Sequence, residues 1–309
     1  SVPIDAIPDL SDPQVIVFTE WMGRDPTLVE DQVTYPIVSS LLATPKVSDV
    51  RAVTMYGMSF IYVLFEEGTD LYWARSRVLE YLQTIQKKLP PGVTPTLGPD
   101  ASGVGWIYQY ALLDRSGKQD LSALRAFHDF SLKYALQSVP GVAEVASVGG
   151  YEKQYQVTID PTRLQALGVS LRDVAAAIRS SSADVGGRIL EMSGREYYIR
   201  GRGYVQDLGQ LGQVSVKVGP GGVPVRLGDI ATIRFGGDIR RGLGELNGEG
   251  EAVGGIVVAR YGENAQSLIE RVEHKIAQVK SSFPEGVELV PVYDRSQLIC
   301  RSVDTLKRT

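Results

Sequence analysis

Met55 and Met58 bracket a Tyr56-Gly57 pair inside the tract VRAVTMYGMSFIYVLF. Its alternation predicts two strands joined by a two-residue turn. Side chains that close such a turn stand on one side of the sheet. The two thioethers would then face each other as soft donors suited to Cu(I) or Ag(I). Adaptable packing is the plainer use of methionine at such a place. Met22 and Met192 stand alone and carry no such pattern. Arg51 lies on the first of these strands, out of phase with Val50 and in phase with Val47, Asp49 and Val53. It reads either as a solvated or salt-bridged side chain, or as the charged lining of a cation's path. Arg75, Arg77 and Glu80 read as surface pairs on a helix.

The remaining metal-ligating types are sparse. His128 falls between Leu124 and Leu132 on the apolar stripe of an expected helix. That position suits a buried histidine whose nitrogens meet neighbours; ligation would need partners that the sequence does not name. His274 lies off its helix stripe and reads as solvated. Cys300 is the only cysteine, so neither a disulfide framework nor a CxxC zinc site can be built. No phosphate-binding GxxxxGK[ST] loop and no GxSxG elbow occurs, and no pair of carboxylates stands apart by its spacing. An enzyme is therefore not the expectation.

Composition narrows the class further. The 309 residues carry 32 Lys plus Arg against 36 Asp plus Glu, a net charge of −4, with 43% hydrophobic and 22% charged residues. That is globular, which excludes a disordered chain. The acidic pI of about 5.4 leaves no basic footprint for nucleic acid. No apolar run approaches the roughly 18 residues needed to span a bilayer, and no signal peptide is evident. The opening Ser1-Val2-Pro3-Ile4 reads as a piece of something larger.

The elements that would position these residues are announced by internal repeats. Pro45–Val53 and Pro140–Val148 both read P-x-V-x-[DE]-V-x-x-V, a turn followed by an alternating strand. Leu89-Pro90-Pro91-Gly92-Val93 is echoed by Phe283-Pro284-Glu285-Gly286-Val287, each with an aspartate seven residues on, Asp100 and Asp294. Pro45 to Pro90 spans 45 residues and Pro140 to Pro284 spans 144, so the second copy is 99 longer between the same landmarks. This spacing implies two related modules, the second interrupted by an insert. The first reads strand 14–21, helix 27–43 with Pro36 kinking it or ending its early part, strands 47–54 and 58–67, helix 71–89 and a strand near 94–98. That order is β-α-β-β-α-β, the ferredoxin-like arrangement. The second reads strand 106–113, helix 120–138, strands 142–149 and 152–159, helix 264–282 and a closing strand 287–293. Its strand at 252–260 is one more than a minimal copy needs. The insert, about 161–238, opens on a capping-box-like Ser170–Asp173 before helix 171–180. It ends in a hairpin over Val214–Val218 and Val223–Leu227. The fold class expected is therefore α+β.

Several tracts resemble one family: SVPIDAIPDLSDPQVIVFTEW, DQVTYPI, DLYWARSRVLEYL, LGPDASGVGWIYQYALLDRSGK, VAEVASVGGYEKQYQVTIDP, LNGEGEAVGG and YDRSQLI. They are similar, in order and over the whole chain, to the first periplasmic loop of heavy-metal efflux pumps of the resistance-nodulation-division family. GVGWIYQYAL is closer to the copper/silver branch than to the zinc/cobalt/cadmium branch. The resemblance implies two ferredoxin-like porter subdomains, at 10–100 and at 101–160 with 239–296. It also implies a docking subdomain at 161–238 and an intersubunit arm at 186–208. It implies a homotrimer that meets a periplasmic adaptor and an outer-membrane channel. The setting would be the periplasm of a Gram-negative bacterium, with membrane contact only through helices outside this chain. Cu(I) or Ag(I) would be cargo of the full proton-driven pump, and no cofactor is expected in this portion. Arg51 matches a charged residue of the family's cleft floor. Met55 and Met58 depart from the family pattern, and Cys300 falls where a polar residue is expected. Weak or no metal binding by this portion follows from the resemblance. A divalent-metal pump, a free-standing periplasmic metal-binding or adaptor protein, and an enzyme on the same scaffold are the other readings.

Overall fold

The structure, a computed structural model, describes residues 7, 9, 11–181, 189–192, 195–198, 207–238 and 242–308. It is a mixed α+β chain that divides into two compact units, residues 1–150 with 242–309, and residues 151–241.

The first module of the larger unit runs β1 (Gln14–Glu20), α1 (Pro26–Val29), α2 (Tyr35–Leu41), β2 (Val47–Met55), β3 (Met58–Phe65), α3 (Leu71–Ile85) and β4 (Thr96–Leu97). Its antiparallel strands lie in the order β2-β3-β1-β4. Val15, Val17, Ile61 and Val63 alternate onto one sheet face. There they bury against the helix stripes Val29, Val33, Ile37, Leu41 and Leu71, Ala74, Val78, Leu82. Asp70 caps α3 by accepting from the Trp73 amide at 2.8 Å. The sequence predicts a helix over 27–43 that Pro36 kinks or whose early part it ends. In the structure α1 and α2 are joined by a single wide turn, Glu30–Thr34, closed by the Tyr35 amide on the Glu30 carbonyl. Pro36 offers no amide to continue the regular ladder, so the preceding turn widens.

The second module begins β5 (Trp106–Asp114), α4 (Leu121–Phe127), α5 (Lys133–Gln137) and β6 (Val142–Gly149). The expected helix 120–138 is likewise broken by one wide turn at His128–Leu132. The chain then enters the second unit. It holds β7 (Lys153–Ile159), α6 (Pro161–Ala166), α7 (Leu171–Ser181), the hairpin β8 (Ile189–Met192) and β9 (Arg195–Tyr198), then α8 (Leu208–Gly212). It continues with β10 (Ser215–Val218), β11 (Pro224–Arg226), α9 (Leu227–Ile230) and β12 (Ala231–Gly237). Leu164, Val174, Leu211, Leu227 and Ile230 form its own core. The Ser170 and Asp173 side chains each accept the other's backbone amide, the reciprocal cap that starts α7. Most of the expected arm, 186–208, lies outside the described residues. Within it, β8 and β9 pair antiparallel. The chain returns with β13 (Val253–Ala259), α10 (Ala265–Val279), β14 (Val287–Asp294) and α11 (Arg295–Arg308). The second sheet has the order β14-β5-β13-β6.

Read from the repeated tracts, the two sheets correspond strand for strand, β1 with β5, β2 with β6, β3 with β13 and β4 with β14. Lys46 and Gly141, one step past the equivalent prolines, both take left-handed backbone, φ 61° and 97°. Gly92 and Gly286 match in the same way, at φ 83° and 80°. One assignment is corrected. The strand placed by sequence at 152–159 beside 142–149 in the second module is β7, which pairs instead with β12 inside the inserted unit, from Ala231↔Ile159 to Gly237↔Lys153. The strand counted as surplus, β13, takes the third place, hydrogen-bonded to both β5 and β6. The sequences explain the exchange. VGGIVVA is apolar on both faces and suits the middle of a sheet. KQYQVTI alternates polar with apolar and suits a ribbon wet on one side. The inserted unit therefore begins at Tyr151 and ends at Arg241, not at 161 and 238. The reading also stops short of α11, whose Ile299 and Val303 pack on the second core.

Leu268 of α10 is fully buried in that core. Leu268→Ala is expected to lower the unfolding free energy by about 2–5 kcal/mol, measured by urea denaturation of the purified chain.

Candidate functional site

Both helix layers cover one face of the first sheet; the other face carries the residues singled out by sequence. Three rungs of the β2–β3 ladder lie there: Arg51↔Tyr62, Val53↔Phe60 and Met55↔Met58. β1 adds Phe18, whose ring stands 4.8 Å from that of Phe60, and Glu20, the partner of Met58. The structure thus brings Met55 and Met58 together as the pair closing the hairpin, with Gly57 at φ 67° in the turn. Arg51 lies two rungs away. Its side chain is 69% exposed and donates to Asp49 at 2.8 Å. That hydrogen bond holds the Asp49 carboxyl below its usual range. Strict alternation puts Val47 on the Arg51 face. A bulge between Val47 and Asp49 turns Val47 to the core side with Val50. Arg77 pairs with Glu80 at 2.5 Å, as the helical spacing implies. Arg75 instead donates to the Gly98 carbonyl.

The two modules are fastened around Asp100, the aspartate of the first repeated tract. It is 8% exposed and accepts from the Tyr72 hydroxyl at 3.0 Å and from Arg260. Its carbonyl accepts the Tyr261 amide at 2.9 Å. Beside it the Ala259 amide donates to the Gly105 carbonyl at 2.7 Å. Arg295 donates to the Val104 and Trp106 carbonyls. One carboxylate thus ties α3 of the first module to the end of β13 in the second. Sequence spacing marked the residue but not its partners, which lie 28 and 160 positions away.

His128 sits at the wide turn between α4 and α5, with no exposed surface. Its Nδ1 lies 3.0 Å from an Asp129 carboxylate oxygen and its Nε2 lies 2.9 Å from the Tyr110 hydroxyl. An ionised carboxylate only accepts, so Nδ1 carries the proton and the Tyr110 hydroxyl donates to Nε2. Asp129 also accepts from Ser147 at 2.5 Å and from Arg125 at 2.6 Å. Arg125 reaches on to the Gly149 carbonyl. Burial pushes the His128 pKa down, more than the bond to Asp129 raises it. Burial would raise Asp129, but bonds from Ser147, His128 and Arg125 outweigh it and hold that carboxyl low. The buried Tyr110 phenol is pushed well above its usual range. The network pins the α4–α5 turn to the sheet by neutral imidazole. Gly255 lies beneath it: a side-chain carbon there would stand 2.4 Å from the Tyr110 hydroxyl and 2.7 Å from His128 Nε2. His274 is exposed and meets Gln278 at 2.9 Å, and Cys300 is exposed on α11.

Among the described residues no group of three or more His, Cys, Asp or Glu is placed to hold a metal ion. On the second sheet's helix-free face, a cavity of about 170 Å³ lies between Gln109, Ala111, Val148, Leu246, Ile256 and Val292. It holds no nucleophile beside an acid–base pair. The arrangement therefore offers two stiff sheets joined through a carboxylate, a pinned helical turn and a thioether-tipped hairpin.

The AcrB/AcrD/AcrF family profile matches residues 1–309. The chain is 53% identical over 306 residues to the cation efflux system protein CusA of Escherichia coli K12. It is 51% identical to the putative cation efflux system protein SilA of Salmonella typhimurium. The cobalt-zinc-cadmium resistance protein CzcA of Cupriavidus metallidurans is 35% identical over 314 residues. In each case 99% of this chain is covered and only 29% of the relative, so the chain spans less than a third of their length. A crystal structure of a heavy metal efflux pump superposes with a TM-score of 0.88 at 29% identity, covering 99% of this chain and 30% of that one.

Two outcomes follow from the histidine network. Since the folded His128 binds a proton less readily than the unfolded one, its contribution is complete above the unfolded pKa of 6.5. It is lost as pH falls below that value. The melting temperature should drop between about pH 7 and pH 5, and His128→Asn should flatten that part of the profile. Gly255→Ala should cost about 1–3 kcal/mol by overpacking, read by urea denaturation.

Proposed function

Because the chain belongs to the AcrB/AcrD/AcrF family of transporters over its whole length, we propose that it is the periplasmic porter and docking portion of a pump that exports Cu(I) or Ag(I). The observation that carries the reading is the duplicated module. Two sheets of equivalent strand order share one unit, and the second is interrupted by a separately cored insert. The modules are two ferredoxin-like porter subdomains, and the inserted unit is the docking subdomain, its β8–β9 hairpin belonging to the intersubunit arm. Lower identity to the cobalt-zinc-cadmium resistance protein CzcA than to the two cation efflux system proteins favours a cargo other than those divalent ions, and the GVGWIYQYAL tract resembles the copper/silver branch.

In this reading the chain performs no bond-making step. Proton flow through membrane helices outside it drives the porter subdomains to swing. Stiff four-stranded sheets transmit that motion, since packed cores shift as bodies and do not deform smoothly. The Asp100 fastening keeps the modules in step, because its partners Tyr72 and Arg260 belong to different modules. Arg51 and Asp49 set an exposed ion pair on the first sheet's open face, the alternating charge that a cation passing that face would meet. The assembled pump is a homotrimer of the inner membrane. Its docking subdomains meet an outer-membrane channel and a periplasmic adaptor. Among the described residues no helix is long and apolar enough to cross a membrane.

The test is a chimera. Residues 1–309 replace the matching segment of a full-length copper/silver-exporting relative, expressed in a copper- and silver-sensitive strain. Restored tolerance to both ions is expected, with none to zinc. A chimera that reaches the membrane as a trimer yet restores no tolerance, or only zinc tolerance, overturns the reading.

A further inference from the structure

Three of the chain's four methionines lie at one hairpin tip: Met55 and Met58 close the turn, and Met22 lies against its Gly57. Nothing in the sequence joins Met22 to Met55 and Met58; the fold does. Beyond Glu20, which pairs with Met58, the chain stays alongside the hairpin. The Trp21 amide donates to the Gly57 carbonyl at 2.8 Å, and the Gly57 amide donates to the Arg24 carbonyl at 2.9 Å. Met22 is thereby laid across the turn. A side-chain carbon on Gly57 would stand 3.1 Å from the Met22 sulfur and 3.3 Å from its methyl carbon. Gly57 adjoins Met58 and faces the chain segment that carries Met22. Glu20, the last residue of β1, pairs with Met58, and in the turn that follows the Met22 sulfur lies against Gly57, next to Met58 in the chain. Met22 and Met55 are 46% and 41% exposed, and Met58 is half-buried, so an ion can reach the tip from solvent.

We propose that Met22, Met55 and Met58 form a binding site for one soft monovalent cation, Cu(I) or Ag(I), at the tip of the β2–β3 hairpin. Thioethers are neutral, polarizable donors that select soft ions and leave hard divalent ones to oxygen and imidazole ligands. Three unbranched side chains adjust easily around an ion. No proton has to leave a thioether, so binding is insensitive to pH, unlike that of thiolate or histidine sites. Glu20 stands on the Met58 rung, and the Arg24 guanidinium lies over the Trp21 ring at 5.1 Å. The site stands on the hairpin alone and does not rest on the pump reading. It replaces the expectation that this portion binds metal weakly or not at all.

The 309-residue chain carrying Cys300→Ser, which removes the one thiol, is titrated with silver nitrate in chloride-free buffer by calorimetry. Methionine methyl resonances are followed by NMR. One Ag(I) per chain is expected, with three methyl signals shifting and that of Met192 unmoved. Met22→Ile, Met55→Ile and Met58→Ile should each weaken binding by about tenfold or more. The triple variant should bind none, and Met192→Ile should change nothing. Zinc sulfate should give no heat. A triple variant that matches the parent isotherm, or a Met22 methyl that does not respond to Ag(I), overturns the proposal. The methyl spectrum of the parent decides even where a variant folds poorly.

Discussion

The pairing of β13 with both β5 and β6 is the constraint on which the larger unit depends. Without it β6 has no neighbour in its sheet, and the helices α4–α5 and α10 have no continuous surface to cover. The strand returns only after the whole inserted unit, yet each doubling of such a loop adds only about 0.6 kcal/mol of closure entropy. Val253, Val257, Val258 and Ala259, all buried on return, offset it. The fold can therefore host a separately cored unit inside a sheet while keeping the sheet intact. The inserted unit closes its own ends by pairing β7 with β12.

Glycine is the material of that return. Gly254 lies so close to β5 that a side-chain carbon would stand 2.2 Å from the Tyr110 carbonyl, and Gly255 is roofed by the Tyr110–His128 pair. Gly149 faces the Ala252 carbonyl in the same way. The bare backbone lets a polar triad sit directly on the sheet, where a larger residue would push the α4–α5 turn away. Stiffness in this module thus comes from a buried, fully hydrogen-bonded network as well as from apolar packing.

Much of this was legible in the sequence, for reasons that can be named. Helices α3 and α10 show long apolar stripes, and the twin tracts at Pro45 and Pro140 placed β2 and β6 correctly as equivalent strands. Neighbourhood in sequence misled where the chain exchanged partners: β7 follows β6 but leaves it. The even apolarity of VGGIVVA, against the alternation of KQYQVTI, was the available signal. The bulge at Ser48 escaped because one extra residue inverts every later side chain without changing the pattern's look. His128 was readable as buried, but its partners Tyr110 and Ser147 come from two other strands, and no local motif joins them. The same holds for Met22, which reaches the hairpin because two backbone hydrogen bonds to Gly57 tie the segment after β1 to the turn.

The bulge in β2 has a further effect. β2 is a nine-residue outer strand that pairs on one side only among the described residues, the kind of border on which stray chains can stack into fibrils. At its start the offset at Ser48 breaks the regular spacing of amides, and Asp49 with Arg51 sets a pair of opposite charges on the same border. Such a margin is a poor template for another copy, so molecules crowded side by side are kept from knitting together through it.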